Sequence, residues 1–406
     1  MPGILSAGSV VSSGRPHPRM DRMSEPEQPD VPLFRELQRV LMSSTGPINW
    51  ELARQVAITM ASWGSDDPAP TEDDRRGLAQ MVRTAELAVA DLTALPSPTD
   101  LAVVQAVRRA QWVESSIAGL RPLLEPMARK VTAALAETRG TTLPLEMAGT
   151  PNEMLEQLMD TMVPLLLGTQ VGAALGTLGQ RVLGLFDLAV PRPGADLVFV
   201  VPNIAAFERE WSLDAREFRA WVALHEVTHR FEFAPSWVQP HVVRLVTDLV
   251  DHAMIDLAGL QDRLEGMDLA NPTALSDAFE GMGSLFGQAA DDEQRLRIAR
   301  VQAFLAAAEG FGDHVHDVLA ARMLPSWARI EEAVKRFREG RPADRALEQL
   351  LGLEMTDEQY RLGRDFCARV VTLTDQPTLS RMWASADSLP SMPELEEPTL
   401  WLSRMA

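Results

Sequence analysis

His225-Glu226-Val227-Thr228-His229 is the stretch of this chain whose residue types and spacing most directly imply chemistry. Histidines at i and i+4 stand one turn apart on one helix face, so both imidazoles can reach a single Zn²⁺. The glutamate follows the first ligand immediately. There it can take a proton from a water molecule polarised by the metal. Both histidines share a face with Phe218, Trp221 and Val222 by the i, i+3, i+4, i+7 rule. An apolar face leaves the nitrogens of a metal-free histidine pair in need of partners, so a metal explains the pattern better than two solvated rings.

A catalytic zinc needs a third protein ligand and an open position. The metzincin pattern would place a histidine six residues after His229, where this chain has Pro235. The remaining candidates are His241, His252 and the segment Glu309–Asp317, EGFGDHVHD. Glu309 and Asp313 lie at i and i+4 on one face, a spacing in which an acid one turn beyond a ligand can orient a ligand histidine through its other ring nitrogen. His316 lies on a similar face, and His314 points elsewhere. Glu309 is therefore the favoured third ligand and Asp313 its supporting neighbour, with His316, His314 and His241 as alternatives. Tyr360 and His316 are candidates for stabilising an oxyanion.

Helices must position these groups, and most of the chain has helical periodicity. Asn49 caps a helix running through Met60, and Thr71 with Asp74 forms a capping-box-like start to the next, which ends near Leu95. Helical regions are expected over Leu101–Leu120, with a break at Pro122, and over Met127–Thr138. Ser212 can cap the helix that carries the histidines. Glu293–Leu324 reads as one long helix or two joined near Gly310–Gly312, and helices follow at 326–338 and 357–373. The best strand candidate is Asp196–Pro202, DLVFVVP, with Leu183–Val190 as a second short strand. Thr161–Gln180 carries no charge and spaces Gly168, Gly172 and Gly176 at i, i+4, i+8. Pro164, Thr169, Gln170 and Thr177, with no flanking aromatic anchors, favour a helix buried in protein over a membrane span.

The chain has 406 residues and a net charge of −19, which argues against nucleic acid as a partner. Its 36 arginines outnumber the lysines Lys130 and Lys335, and its single cysteine, Cys367, excludes a disulfide scaffold. One unpaired cysteine fits a reducing cytoplasm, and the first twenty residues lack the n-region and apolar run of a signal peptide, so a cytoplasmic location is expected. The organisation expected is a disordered leader over 1–32, an N-terminal helical region over 34–150, a metal-binding catalytic region over 151–388 and an irregular tail over 389–406.

Pro202–Phe233, PNIAAFEREWSLDAREFRAWVALHEVTHRFEF, resembles the zincin-like metallopeptidases common in actinobacteria, long known only as a domain of unknown function. Some members carry a label linking them to biosynthesis of a deazaflavin cofactor. Ile48–Ala53, Val171–Asp187, Glu309–Asp317 and Leu351–Phe366 match as well, so the resemblance runs from about residue 34 to the C-terminus. It implies a mainly α, zincin-like fold with a minor β element around 183–202, one Zn²⁺ per chain and a glutamate-type third ligand. The Glu309-Gly310-Phe311 stretch resembles the ligand segment of aminopeptidase-type gluzincins. Glu309 with Asp313 resembles that of the thermolysin type, although the 79 residues between His229 and Glu309 exceed the gap in either group.

Three functions compete. The first is a zinc hydrolase acting on a peptide or protein, with Glu226 as general base. The second is a non-catalytic interaction protein with structural zinc, which would close its site with four protein ligands and has no need of Glu226. The third is an accessory role in redox-cofactor synthesis, which no glycine-rich phosphate loop supports.

Overall fold

The computed structural model describes residues 46–64, 66–142, 151–186, 191, 196–253, 291–338 and 355–406. The leader expected over 1–32 lies outside them. Among the described residues the fold is mainly α, with one two-stranded parallel sheet.

Helix α1, Trp50–Ala61, starts at Asn49, whose side chain accepts from the Leu52 amide. Helix α2, Glu72–Thr93, opens on the expected Thr71/Asp74 capping box. Strand β1, Val103–Val107, follows where helix was expected. The run VVQAV is short and β-branched, and its pairing with a strand nearly a hundred residues later overrides the local helical pattern. Helix α3, Arg109–Thr142, continues through Pro122 and Pro126 instead of breaking. Each proline removes one amide donor, but buried Leu120, Leu123, Leu124, Met127 and Val131 hold the helix to the core across them.

Helix α4, Pro151–Gly179, carries the glycine ladder. It is long and apolar enough to cross a membrane, yet the ladder is laid against α1. A Cβ on Gly172 would stand 2.6 Å from the Ala53 carbonyl oxygen, and one on Gly168 would stand 2.5 Å from that of Asn49. Such approach of two backbones is what small residues at this spacing permit. Strand β2, Asp196–Val200, pairs with β1 in register Val103↔Asp196 to Val107↔Val200. Gly184 forms an antiparallel bridge to Phe199, so the β element expected around 183–202 is present.

Helix α5, Val201–Glu210, leads to α6, Ala215–Phe233, the helix of the HExxH motif. Asp214, and not Ser212, caps α6, accepting from the Glu217 amide at 2.9 Å. Ser212 instead takes a left-handed backbone, φ 50°, in the turn before it. Helix α7, Val238–His252, follows. Helix α8, Asp292–Met323, is a single rod through Gly310 and Gly312. Helices α9, Trp327–Arg338, and α10, Asp357–Leu373, match their expected positions. Helix α10 crosses α8 where Gly363 meets Gly310.

The tail after Leu389, expected to be irregular, folds instead. After the short α11, Gln376–Ser380, come α12, Met392–Glu396, and α13, Pro398–Met405. Pro393 and Pro398 sit in the first turns of their helices, at the second and first positions, where the missing amide is no loss, and Ser391 with Glu394 forms a capping box. Trp401 is fully buried and donates to the Ser388 carbonyl at 2.8 Å. Prolines and acids that suggest irregularity therefore act here as helix starts.

Candidate metal centre

Helix α6 is buried on every side. All residues from Trp221 to Glu232 are buried, including His225, Glu226, Thr228, His229, Arg230 and Glu232. Buried polar groups require partners, and several of these have them within the protein. Thr228 donates back to the Leu224 carbonyl at 2.8 Å. Arg230 reaches Glu86 at 2.9 Å and the Asp100 carbonyl at 2.5 Å. Glu226 accepts from the Leu185 amide at 2.9 Å and from the Phe186 amide at 3.1 and 3.2 Å. His229 Nδ1 pairs with Glu232 at 2.9 Å, while its Nε2, equally buried, makes no hydrogen bond among the described residues.

That nitrogen faces two others. One ligand atom each from His225, His229 and His316 lie within 4.8 Å of one another, all three residues buried. The ring centroids of His225 and His229 are 4.7 Å apart, and those of His225 and His316 are 5.1 Å apart. Trp221 stacks on His225 and meets His316 edge-on, at 5.8 and 6.1 Å. Phe233 stacks on His229 at 5.7 Å. Gly312 of α8 completes the arrangement by what it lacks. A Cβ there would lie 2.9 Å from His229 Cε1, 3.2 Å from His229 Nε2 and 3.4 Å from His316 Nε2. Three buried imidazoles converging beside a space that a methyl group would fill fit a zinc ion by donor type and number.

Glu309 and Asp313 lie on the same length of α8, half-buried. Glu309 stands outside the compact histidine group, but its charge acts on both His229 and Glu232. Burial pushes His229 down, and Glu232 beside it, with Glu309 and Glu226, more than reverses this, to about 9. Burial pushes Glu232 up to about 7, assisted by Glu309 and Asp313 and opposed by His229. In the metal-free protein a proton is thus retained in the His229–Glu232 pair at neutral pH, and a metal arriving at His229 must displace it.

Glu232 is a residue that sequence reasoning missed. Its signal was present: an acid three residues after a ligand histidine on the same helix lies beside that histidine. It holds the Nδ1 side of His229, and Asp313 bears on Glu232 through its charge. The other described histidines are engaged elsewhere. His314 pairs with Gln376 at 2.9 Å, His252 is exposed beside Asp248, and His241 packs against Trp237. Tyr360 stands half-buried on α10. Cys367 is buried, and burial with the charges of Glu232 and Asp313 keeps its thiol protonated.

A second histidine-bearing helix, α8, thus faces the HExxH helix. Residues 48–402 match the zincin-like metallopeptidase family, and the chain belongs to that family. Among solved structures it is similar to one from Chloroflexus aurantiacus, described as a "putative hydrolase with a novel fold". The two are 28% identical with a TM-score of 0.62, over 88% of this chain and 98% of the other. No curated protein matches the sequence.

Proposed function

We propose that the protein is a zinc-dependent peptidase, with His225 and His229 as two ligands and the Glu309–His316 face of α8 supplying the third. The observation that carries this reading is the convergence of buried His225 and His229 on α6 with buried His316 on α8, one ligand atom of each lying within 4.8 Å of the others. The donor distances favour His316 as third ligand. The negative charge that Glu309 exerts on His229 supports Glu309, the choice favoured by sequence. Zinc, when bound, supplies a Lewis acid that polarises a carbonyl and acidifies water. Glu226 accepts the proton released there and returns it to the leaving amine. Glu232 keeps His229 in the tautomer that presents Nε2. Trp221 and Phe233 wall the imidazoles and exclude water from them.

Zinc content and hydrolysis of a quenched fluorescent peptide library, measured together, test the reading. One zinc per wild-type chain with cleavage, and zinc without cleavage in Glu226→Gln, are expected. Zinc loss in His316→Ala but not in Glu309→Gln assigns the third ligand to His316, and the reverse assigns it to Glu309. If both variants lose zinc and the wild type cleaves nothing, the site has four protein ligands and the interaction-protein reading replaces this one.

A further inference from the structure

The carboxylate of Glu226 does not lie loose in the site. Two backbone amides, from Leu185 and Phe186, grip it, and both of its oxygens are engaged. The segment that carries them is fixed from several sides. Val182 accepts from Asn203 at 2.7 Å, and Asn203 is itself held by Arg109 at 2.6 Å. The Gly184 carbonyl accepts from the Trp112 indole at 2.9 Å. The Leu185 amide also reaches the Val198 carbonyl at 3.1 Å, and the Val200 amide donates to Leu183 at 2.8 Å. At the far end the Phe186 ring lies 6.1 Å from the His229 ring and 5.6 Å from that of Phe233. Gly184 makes the grip possible, because any Cβ at that position would overlap the Glu226 carboxylate.

We infer that Val182–Phe186 is a positioning element for the proposed base. The amides of Leu185 and Phe186 hydrogen-bond to Glu226 and fix its direction, with Gly184 keeping its place clear. Preorganised backbone dipoles of this kind need no rearrangement during reaction. The inference rests on the zinc reading above, but it concerns residues of a different segment and stands or falls on its own measurements.

The test uses zinc-loaded protein and acetohydroxamate, a small chelator that grips zinc through two oxygens and hydrogen-bonds to a neighbouring carboxylate. Affinity is measured by calorimetry in wild type, Gly184→Ala, Glu226→Gln and the double variant, with zinc content determined in each. Gly184→Ala and Glu226→Gln should each weaken binding by about 10-fold or more while zinc is kept, and the double variant should be no worse than Glu226→Gln alone. Wild-type or tighter affinity in Gly184→Ala, or losses that multiply in the double variant, overturns the inference. Should Gly184→Ala fail to fold, amide hydrogen exchange in zinc-loaded Glu226→Ala decides: faster exchange at Phe186 supports the grip, and unchanged protection overturns it. Wild-type protein that holds no zinc removes the zinc reading and this inference together. Wild-type protein that binds acetohydroxamate while Gly184→Ala matches it removes this inference alone.

Discussion

The seam between α4 and α1 and the seam between α6 and α8 both depend on missing side chains, and they use the space differently. At the first, Gly168, Gly172 and Gly176 bring one helix backbone against another, and the space is filled by protein. At the second, Gly312 brings α8 against the His229 imidazole of α6, and the position of its absent Cβ lies within 3.4 Å of nitrogens from His229 and from His316, one turn further along α8. The first omission makes a scaffold. The second leaves a ligand pair accessible to an ion. Filling the first should therefore show in stability, and filling the second in metal affinity.

The largest effect expected is at the ligands. His225→Ala or His229→Ala should abolish stoichiometric zinc, read by metal analysis after dialysis, because two protein ligands cannot hold the ion as three do. Glu226→Gln comes next, with a rate loss of about 100- to 10,000-fold and zinc retained, once a cleaved peptide is in hand. Glu232→Gln should weaken zinc by about 10- to 100-fold in competition with a chelator, since it removes the partner of His229 Nδ1. In wild type, zinc affinity should rise with pH up to about 9, where His229 no longer holds its proton against the metal.

Gly312→Ala is expected to weaken zinc by about 10-fold, at the low end of what disturbing a ligand's surroundings does. Its melting temperature should move less than that of Gly172→Ala. Gly172→Ala should keep full zinc affinity and lose about 1–3 kcal/mol of stability in urea unfolding, the usual consequence of overpacking. If Gly172→Ala lost zinc while Gly312→Ala lost only stability, the distinction between the two seams would be wrong.

Features set by local spacing were legible in the sequence. The HExxH pair, the Thr71 capping box, the Asn49 cap and the glycine ladder each follow from residues within one or two turns. Strand β1 was not legible, because VVQAV becomes a strand only when β2 lies beside it. The Glu226 grip was hidden for the same reason. Nothing in residues 184–186 signals a carboxylate partner forty residues away. The unbroken α3 escaped because long-range packing decided against its prolines. Glu232 differs from these cases: its position three residues after His229, on the same helix, is a local signal that the sequence carries.

The long interval between the two ligand-bearing helices has a consequence for how the protein is made. Synthesis proceeds from the N-terminus, so His225 and His229 leave the ribosome well before any residue of α8 exists. Closing so long a loop is slow compared with forming a helix. On the zinc reading proposed above, the ion would enter a site completed only once α8 has docked. A chain truncated before Glu309 would carry the complete HExxH motif and still make a poor zinc protein.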